Sequence, residues 1–244
     1  MNPSAYMEMA RTEDEHWWFL GRRQIIASLL SRLFPSGKID ILEVGCGTGG
    51  NLAMLSDFGR VTAVEKNSWA AEYAQNKFGG YANVLFADFL ELDCSGRQFD
   101  LICAFDVLEH LQDDVCALQH MTDMLADNGR IIVTVPAYKW LWSNHDRKLH
   151  HYRRYNRDEL IENIHQLPLN IEFISYFNCL LFPLALCLRC LDILLFKDWS
   201  SQTNHVNGLS NRILLKIFSS EQYLLRHARP PFGLSLLVVL RNSL

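Results

Sequence analysis

A run of glycines at Gly45, Gly47, Gly49 and Gly50, spaced by Cys46 and Thr48, follows directly on the apolar stretch Ile39–Val44. Glycines at that spacing admit positive φ and let a backbone approach a ligand closely, and a following helix offers free N–H groups. The run satisfies G-x-G-x-G and, through Gly50, also the dinucleotide pattern G-x-G-x-x-G. Carboxylates accompany it. Glu43 stands two residues before the first glycine, where it can organise the loop and lie near a ligand's ammonium group. Glu65 closes a second apolar run beside Lys66 and can accept both hydroxyls of a ribose. Asp88, in Ala87-Asp88-Phe89, can accept from an adenine amino group with an aromatic alongside, and Phe105-Asp106-Val107-Leu108-Glu109-His110 brings a further polar cluster.

Groups so scattered in sequence converge only on a scaffold that returns to one edge. Strand signals at Ile39–Val44, Arg60–Val64, Asn83–Ala87, Phe99–Phe105 and Arg130–Val135 alternate with helix signals at about 51–58, Ser68–Lys77 and about 113–126. That alternation predicts right-handed crossovers and a parallel sheet covered on both faces. Open sheets of this class bind ligands at the carboxyl ends of their strands, where each of the carboxylates above falls. Residues 13–33 read as one helix, stopped by Phe34-Pro35-Ser36-Gly37. Beyond Pro136 come an aromatic- and histidine-rich loop at 137–155, a helix at about Arg157–His165, and strands at about Ile171–Phe177 and Leu234–Leu240.

The 244 residues suit a single α/β domain, 1–244, with an N-terminal helical segment at 1–38 and a helical insertion at 178–230. With 49% hydrophobic residues and 20% charged, a sizeable core can form. A net charge of −4 gives no general attraction to nucleic acid, which makes it an unfavoured partner. No basic region followed by an apolar stretch opens the chain, and the seven cysteines read as reduced thiols of a cytoplasmic protein. The pair Cys187 and Cys190 lacks a second C-x-x-C and lies in an apolar segment, so it reads as structural.

The E-x-G-x-G-x-G loop, the acidic end of the second strand, the Ala-Asp after the third and Asp-Val-Leu-Glu-His after the fourth together resemble the class I, Rossmann-like S-adenosylmethionine-dependent methyltransferases. The resemblance covers roughly residues 39–136. It implies a seven-stranded, mostly parallel sheet in the order 3-2-1-4-5-7-6, with the seventh strand antiparallel. It also implies S-adenosylmethionine as cofactor and S-adenosylhomocysteine as product. Glu65 would bind the ribose, Asp88 the adenine N6, with Ala87 and Phe89 near the ring and Lys66 beside them. Glu43, Gly45, Cys46, Gly47, Gly49 and Asn51 would meet the methionine moiety, with the backbone near Phe105 and with Asp106 and His110 at its ammonium group. The string His16-Trp17-Trp18-Phe19-Leu20-Gly21-Arg22 resembles a bacterial subgroup with a W-W-F-x-x-R helix before the sheet. That implies a lid in which Trp18 covers the cofactor and Arg22 pairs its carboxylate; the bland alternative is a helix packed by its tryptophans.

The loop W-S-x-H-D followed by H-x-R-R-Y, residues 142–155, matches the same subgroup and lies on the expected substrate side. His145 and His151 are the candidate catalytic bases, with Asp146 to orient one of them and Arg153 and Arg154 to meet an anionic group. The alternative is a network that fastens the loop, and methyl transfer needs mainly positioning. Asp106, Glu109 and His110 offer hard metal ligands with a second histidine, but D-V-L-E-H is widespread in metal-independent members of the family, so no metal is expected. The insertion reads as two helices, about 180–197 and 209–227: a cap over the substrate pocket, a homodimer surface or a peripheral membrane contact. An apolar cap suits a lipid-linked or otherwise partly hydrophobic acceptor, and the expected reaction is methyl transfer to an O or N atom of a small or lipid-linked metabolite. The rival readings are an NAD(P)-dependent oxidoreductase and a non-catalytic S-adenosylmethionine-binding protein.

Overall fold

The computed structural model describes residues 3–36, 38–92, 96–187 and 208–242. Among these, strands β1 (Ile39–Val44), β2 (Gly59–Glu65), β3 (Ala82–Phe86), β4 (Phe99–Phe105), β5 (Leu125–Pro136), β6 (Leu169–Phe177) and β7 (Ser235–Asn242) form one sheet. Its order is β3-β2-β1-β4-β5-β7-β6, parallel from β3 to β5, with β7 antiparallel to both its neighbours. That is the topology the resemblance implied.

Side chains alternate across β4, so each face of the sheet acquires its own core. Ile102 and Ala104 join Leu42, Val133 and Leu118 beneath α5 (Asp114–Asp123) and α7 (Arg157–Ile164). Leu101 and Cys103 join Ile41, Ile132 and Ile26 on the other face. There α2 (Trp17–Leu33), α3 (Leu52–Ser56), α4 (Ser68–Phe78) and α8 (Gly208–His227) cover the sheet. The apolar runs of the central strands are continuous because both faces are dry.

Three expectations change in detail. The helix expected over 13–33 starts only at Trp17, as α2, because His16 caps it by accepting from Trp18 N; a separate helix, α1 (Pro3–Thr12), precedes it, and Glu13 is buried in the elbow between them. The strand expected at Arg130–Val135 begins earlier, at Leu125, and takes in Asn128-Gly129; its pairing with β4 shifts register between Phe99 and Leu101 and so absorbs the irregularity. The helix after the glycines is also short, five residues at Leu52–Ser56.

In the insertion, residues 182–187 are helical and α8 spans Gly208–His227; the remainder of the first expected helix, with Cys190, lies outside the described residues. α8 packs closely on α2. A Cβ on Gly21 would fall 2.5 Å from the Phe218 ring, so glycine sets the approach of the two helices there. Among the described residues, no helix is long and apolar enough to cross a membrane.

Candidate functional site

The carboxyl ends of the central strands open on one cavity of about 1160 Å³, lined from Val44 to Gly47, by Glu65 and Lys66, by Ala87, Asp88 and Phe89, and from Phe105 to Val107. The glycine loop turns beneath it with φ of 65° at Gly45 and 56° at Gly47, values that side-chain-bearing residues rarely adopt. Both Gly45 and Cys46 donate their N–H to Val64 O, which ties the loop to β2. Glu65, where β2 ends, then accepts from Gly47 N through Oε2 at 2.8 Å and from Asn67 N through Oε1 at 2.8 Å. A carboxylate pinned by two backbone donors is a preorganised acceptor for hydroxyl groups.

Glu43 and Gly49 do not line the cavity. Gly49 turns instead towards Ala74, Phe78 and Leu52. Glu43 is fully buried behind the loop, where Oε1 accepts from Asn51 Nδ2 at 2.7 Å and Oε2 has no partner among the described residues. Asn51 itself reaches the cavity wall, so Glu43 acts through it. Burial pushes the Glu43 carboxyl up to about 7, against the opposing hydrogen bond from Asn51 and the charge of Arg22. The unfolded chain releases that proton near 4.5. The folded state therefore loses stability relative to the unfolded one as pH rises from about 4.5 to about 7, and stays penalised above. The substitution Glu43→Gln keeps the acceptor for Asn51 and removes the charge. It should raise unfolding stability by about 2–3 kcal/mol at pH 8 and by almost nothing at pH 4.5, read from urea denaturation at the two pH values.

Asp106 follows β4 directly with φ of 56°, an unusual conformation for a residue with a side chain, and its N–H bonds to Thr134 O at 2.9 Å. Its carboxylate pairs with Arg22 of α2. The partner of Arg22 is thus Asp106 here, where the sequence pointed to a ligand carboxylate. Its guanidinium is buried at the end of β4, with Nε unpartnered. Trp18 lines the cavity too, but its ring stacks on Phe218 at 5.0 Å and 2° and so also fastens α2 to α8. Asp88 follows β3 and caps the next turn through Leu90 N at 3.2 Å, while the exposed Lys66 pairs with its other oxygen. Phe89 is buried against His120, ring centroids 4.9 Å apart, and borders the same end of the cavity.

After β5 the chain forms α6 (Asn144–Lys148), whose Asp146 is fully buried. Asp146 accepts from Ser143 N at 2.8 Å, Arg154 Nε at 2.7 Å and His151 Nδ1 at 3.0 Å. This network delivers His151 to His110, their rings perpendicular with centroids 4.6 Å apart. Burial, with the neighbouring His151, pushes His110 down to about 3, so its ring is neutral at any ordinary pH. His145 also lines the cavity, outside this pairing. Both arginines expected to meet an anionic group already pair with carboxylates of the protein: Arg154, which lines the cavity, with Asp146 and Arg153 with Asp114, at 2.7 and 2.6 Å. The reason is local, because each guanidinium has a buried carboxylate within reach.

Sequence reasoning missed α1. Tyr6 donates its hydroxyl to Glu65 Oε1 at 3.1 Å, and Met9 and Glu13 complete that side of the cavity. Glu13 is buried, accepting from Thr48 Oγ1 in the glycine loop and from Lys77 Nζ at 3.1 Å. The signal was present: Pro3 at a first helical position, with Tyr6, Met9 and Glu13 at one-face spacing. Residues of the insertion, Leu181, Leu184, Ala185 and Leu214, add an apolar wall.

Comparison with known proteins adds an independent line. The family described as "Methyltransferase domain" matches residues 18–178. A probable S-adenosylmethionine-dependent methyltransferase of Mycobacterium tuberculosis is 27% identical over 172 residues, 69% of this chain and 60% of that protein. An O-methyltransferase of Penicillium expansum is 30% identical over 109 residues, 42% of this chain and 40% of its own length. The chain therefore spans less than two thirds of these curated relatives. Among solved structures, the plantazolicin methyltransferase BpumL in complex with S-adenosylhomocysteine aligns with a TM-score of 0.63 at 14% identity, over 99% of this chain and 91% of that one. At that identity the likeness is one of fold.

Proposed function

The chain belongs to the methyltransferase domain family, and from that premise we propose that it moves the sulfonium methyl of S-adenosylmethionine to an oxygen or nitrogen of a small or lipid-linked metabolite. The observation that carries this reading is Glu65, pinned by the glycine loop and facing the same cavity as Asp88 and Asp106. The cofactor fits at Gly47, where an added Cβ would project into the cavity and meet only Met9 Sδ, at 3.2 Å. A bound sulfonium supplies an electrophilic methyl and leaves as a neutral thioether. Glu65 then holds the ribose hydroxyls and Asp88 the adenine amine, with Phe89 bordering the ring. The backbone around Phe105 and Asp106 takes the ammonium group, and Arg22 takes the carboxylate by releasing Asp106. Helix α1 and the start of α2 act as the lid, in keeping with the W-W-F-x-x-R subgroup.

At the acceptor side, Asp146 fixes one nitrogen of His151, which leaves the other as the better-placed base; His145 is the second candidate. The apolar wall of Leu181, Leu184, Ala185 and Leu214 supports an acceptor with a hydrophobic part. The fungal relative's name favours oxygen as the methylated atom. Calorimetry with S-adenosylhomocysteine tests the pocket. Asp88→Ala removes a charged acceptor and should weaken binding about tenfold or more while leaving the circular dichroism spectrum intact. Unchanged affinity would sink the adenine assignment. Saturable NADH fluorescence would favour the oxidoreductase reading instead, and cofactor binding without turnover on any acceptor would favour a binding protein.

A further inference from the structure

Three side chains that line the cavity bring possible ligand atoms close to one another. Glu109, His110 and His151 each offer a ligand atom, all within 4.8 Å of one another, and all three residues line the cavity. Glu109 is 1% exposed, and its Oε2 is buried without a hydrogen-bond partner among the described residues. A buried carboxylate oxygen left open costs more than it contributes unless something binds it. The cations nearby are already engaged, since Arg154 is held by Asp146 and Arg22 by Asp106.

The two imidazoles are oriented from behind. Asp146 Oδ1 holds Nδ1 of His151 at 3.0 Å, and the His110 ring donates to the backbone of His150, itself in a positive-φ conformation at 57°. Metal-binding histidines characteristically give their outer N–H to a carboxylate or a backbone carbonyl, which fixes the ring and leaves the other nitrogen free. Here both arrangements occur side by side, next to the carboxylate that carries the orphaned oxygen. Tyr152 N donates to Glu109 O at 2.7 Å, so the histidine loop is stitched to the segment that carries Glu109 and His110.

We infer that Glu109, His110 and His151 form a binding site for one divalent first-row transition ion, such as Zn²⁺. Two imidazoles and one carboxylate select such an ion over Mg²⁺ or Ca²⁺, which prefer all-oxygen shells. Metal–ligand bonds of about 2.0–2.2 Å set donor atoms roughly 3–4 Å apart, so the three close by about an ångström on loading. Asp106 is outside this cluster of ligand atoms, its carboxylate being turned to Arg22. Three protein ligands leave positions open toward the cavity, as in catalytic rather than structural sites. An acceptor oxygen can ligate there, and His151 then positions the acceptor through the ion instead of taking its proton. Binding of the ion does not depend on the methyltransferase reading; only its purpose does.

The test is a Co²⁺ titration of chelator-stripped, full-length protein, followed by visible absorption and calorimetry, with S-adenosylhomocysteine affinity measured on the same samples. Wild type should take up one equivalent with a saturable d–d band. Glu109→Gln and His151→Ala should each weaken that uptake by at least tenfold, and Asp146→Asn by about tenfold through the ring it orients. His165→Ala, an exposed histidine away from the cavity, should leave it unchanged. Retained S-adenosylhomocysteine binding in the variants shows that they are folded. No saturable uptake by wild type, or equal uptake by His151→Ala, overturns the site. If the ion fails to bind while S-adenosylhomocysteine still does, the methyltransferase reading stands without it; loss of both in wild type would bring down that reading separately.

Discussion

Gly47→Arg should lower S-adenosylhomocysteine affinity at least about 100-fold while moving the melting temperature by only a few degrees. Two effects combine. The residue sits at φ 56°, where any side chain adds of the order of 1–2 kcal/mol of backbone strain. The larger effect is spatial. A Cβ at this position meets nothing but the tip of Met9, a flexible side chain that can swing aside, so the protein itself tolerates the substitution. What the arginine fills is the space where the loop must approach the ligand. Its guanidinium would also lie within reach of Glu65, competing with the ribose hydroxyls for the same oxygens. Calorimetry gives the affinity, and thermal melting monitored by circular dichroism gives the stability. Binding retained within threefold in a folded variant would mean that the glycine loop does not cradle this ligand, and the reading built on it would fail.

Legibility in the sequence followed from how local each signal was. The sheet could be read because its central strands are buried on both faces, so Ile39–Val44 and Phe99–Phe105 stand out as unbroken apolar runs next to turn chemistry. The glycine loop, Glu65, Asp88 and Asp106 could be placed because each follows a strand immediately. The helix α1 was not legible as part of the site. Its one-face spacing could mark a helix, but the bond from Tyr6 to Glu65 spans 59 positions, and nothing local in the sequence pairs the two. Arg153 and Arg154 misled for a related reason: composition reports that two cations are present, but only the fold shows Asp114 and Asp146 already facing them. Glu43 was placed near the ligand by its spacing, which fixed its neighbourhood but not its face. The side of β1 on which it falls puts Asn51 between it and the cavity.

Asp146→Ala should be the most destabilising single change in this set, about 3–5 kcal/mol by urea denaturation at pH 7. The carboxylate is fully buried and holds Arg154, which is 5% exposed, together with His151 and the first turn of α6. Burial alone would raise its pKa, yet the hydrogen bond from His151 and the charge of Arg154 hold the group well below the usual carboxylate range. Removing it strands a buried guanidinium, and breaking a buried pair from one side costs far more than the pair contributes net. Asp146→Asn retains an oxygen for Arg154 and should cost less, about 1–2 kcal/mol. The pH dependence separates charge from packing. A carboxyl whose folded pKa is depressed contributes stability that is present above its unfolded value near 3.8 and is lost as pH falls toward the folded value. The gap between wild type and Asp146→Asn should therefore be full at pH 6 and shrink steadily below pH 4. A gap that stays constant down to the acid limit would assign the loss to misplaced hydrogen bonds, and Asp146 would then be a packing residue rather than the charge that holds the histidine loop against the cavity.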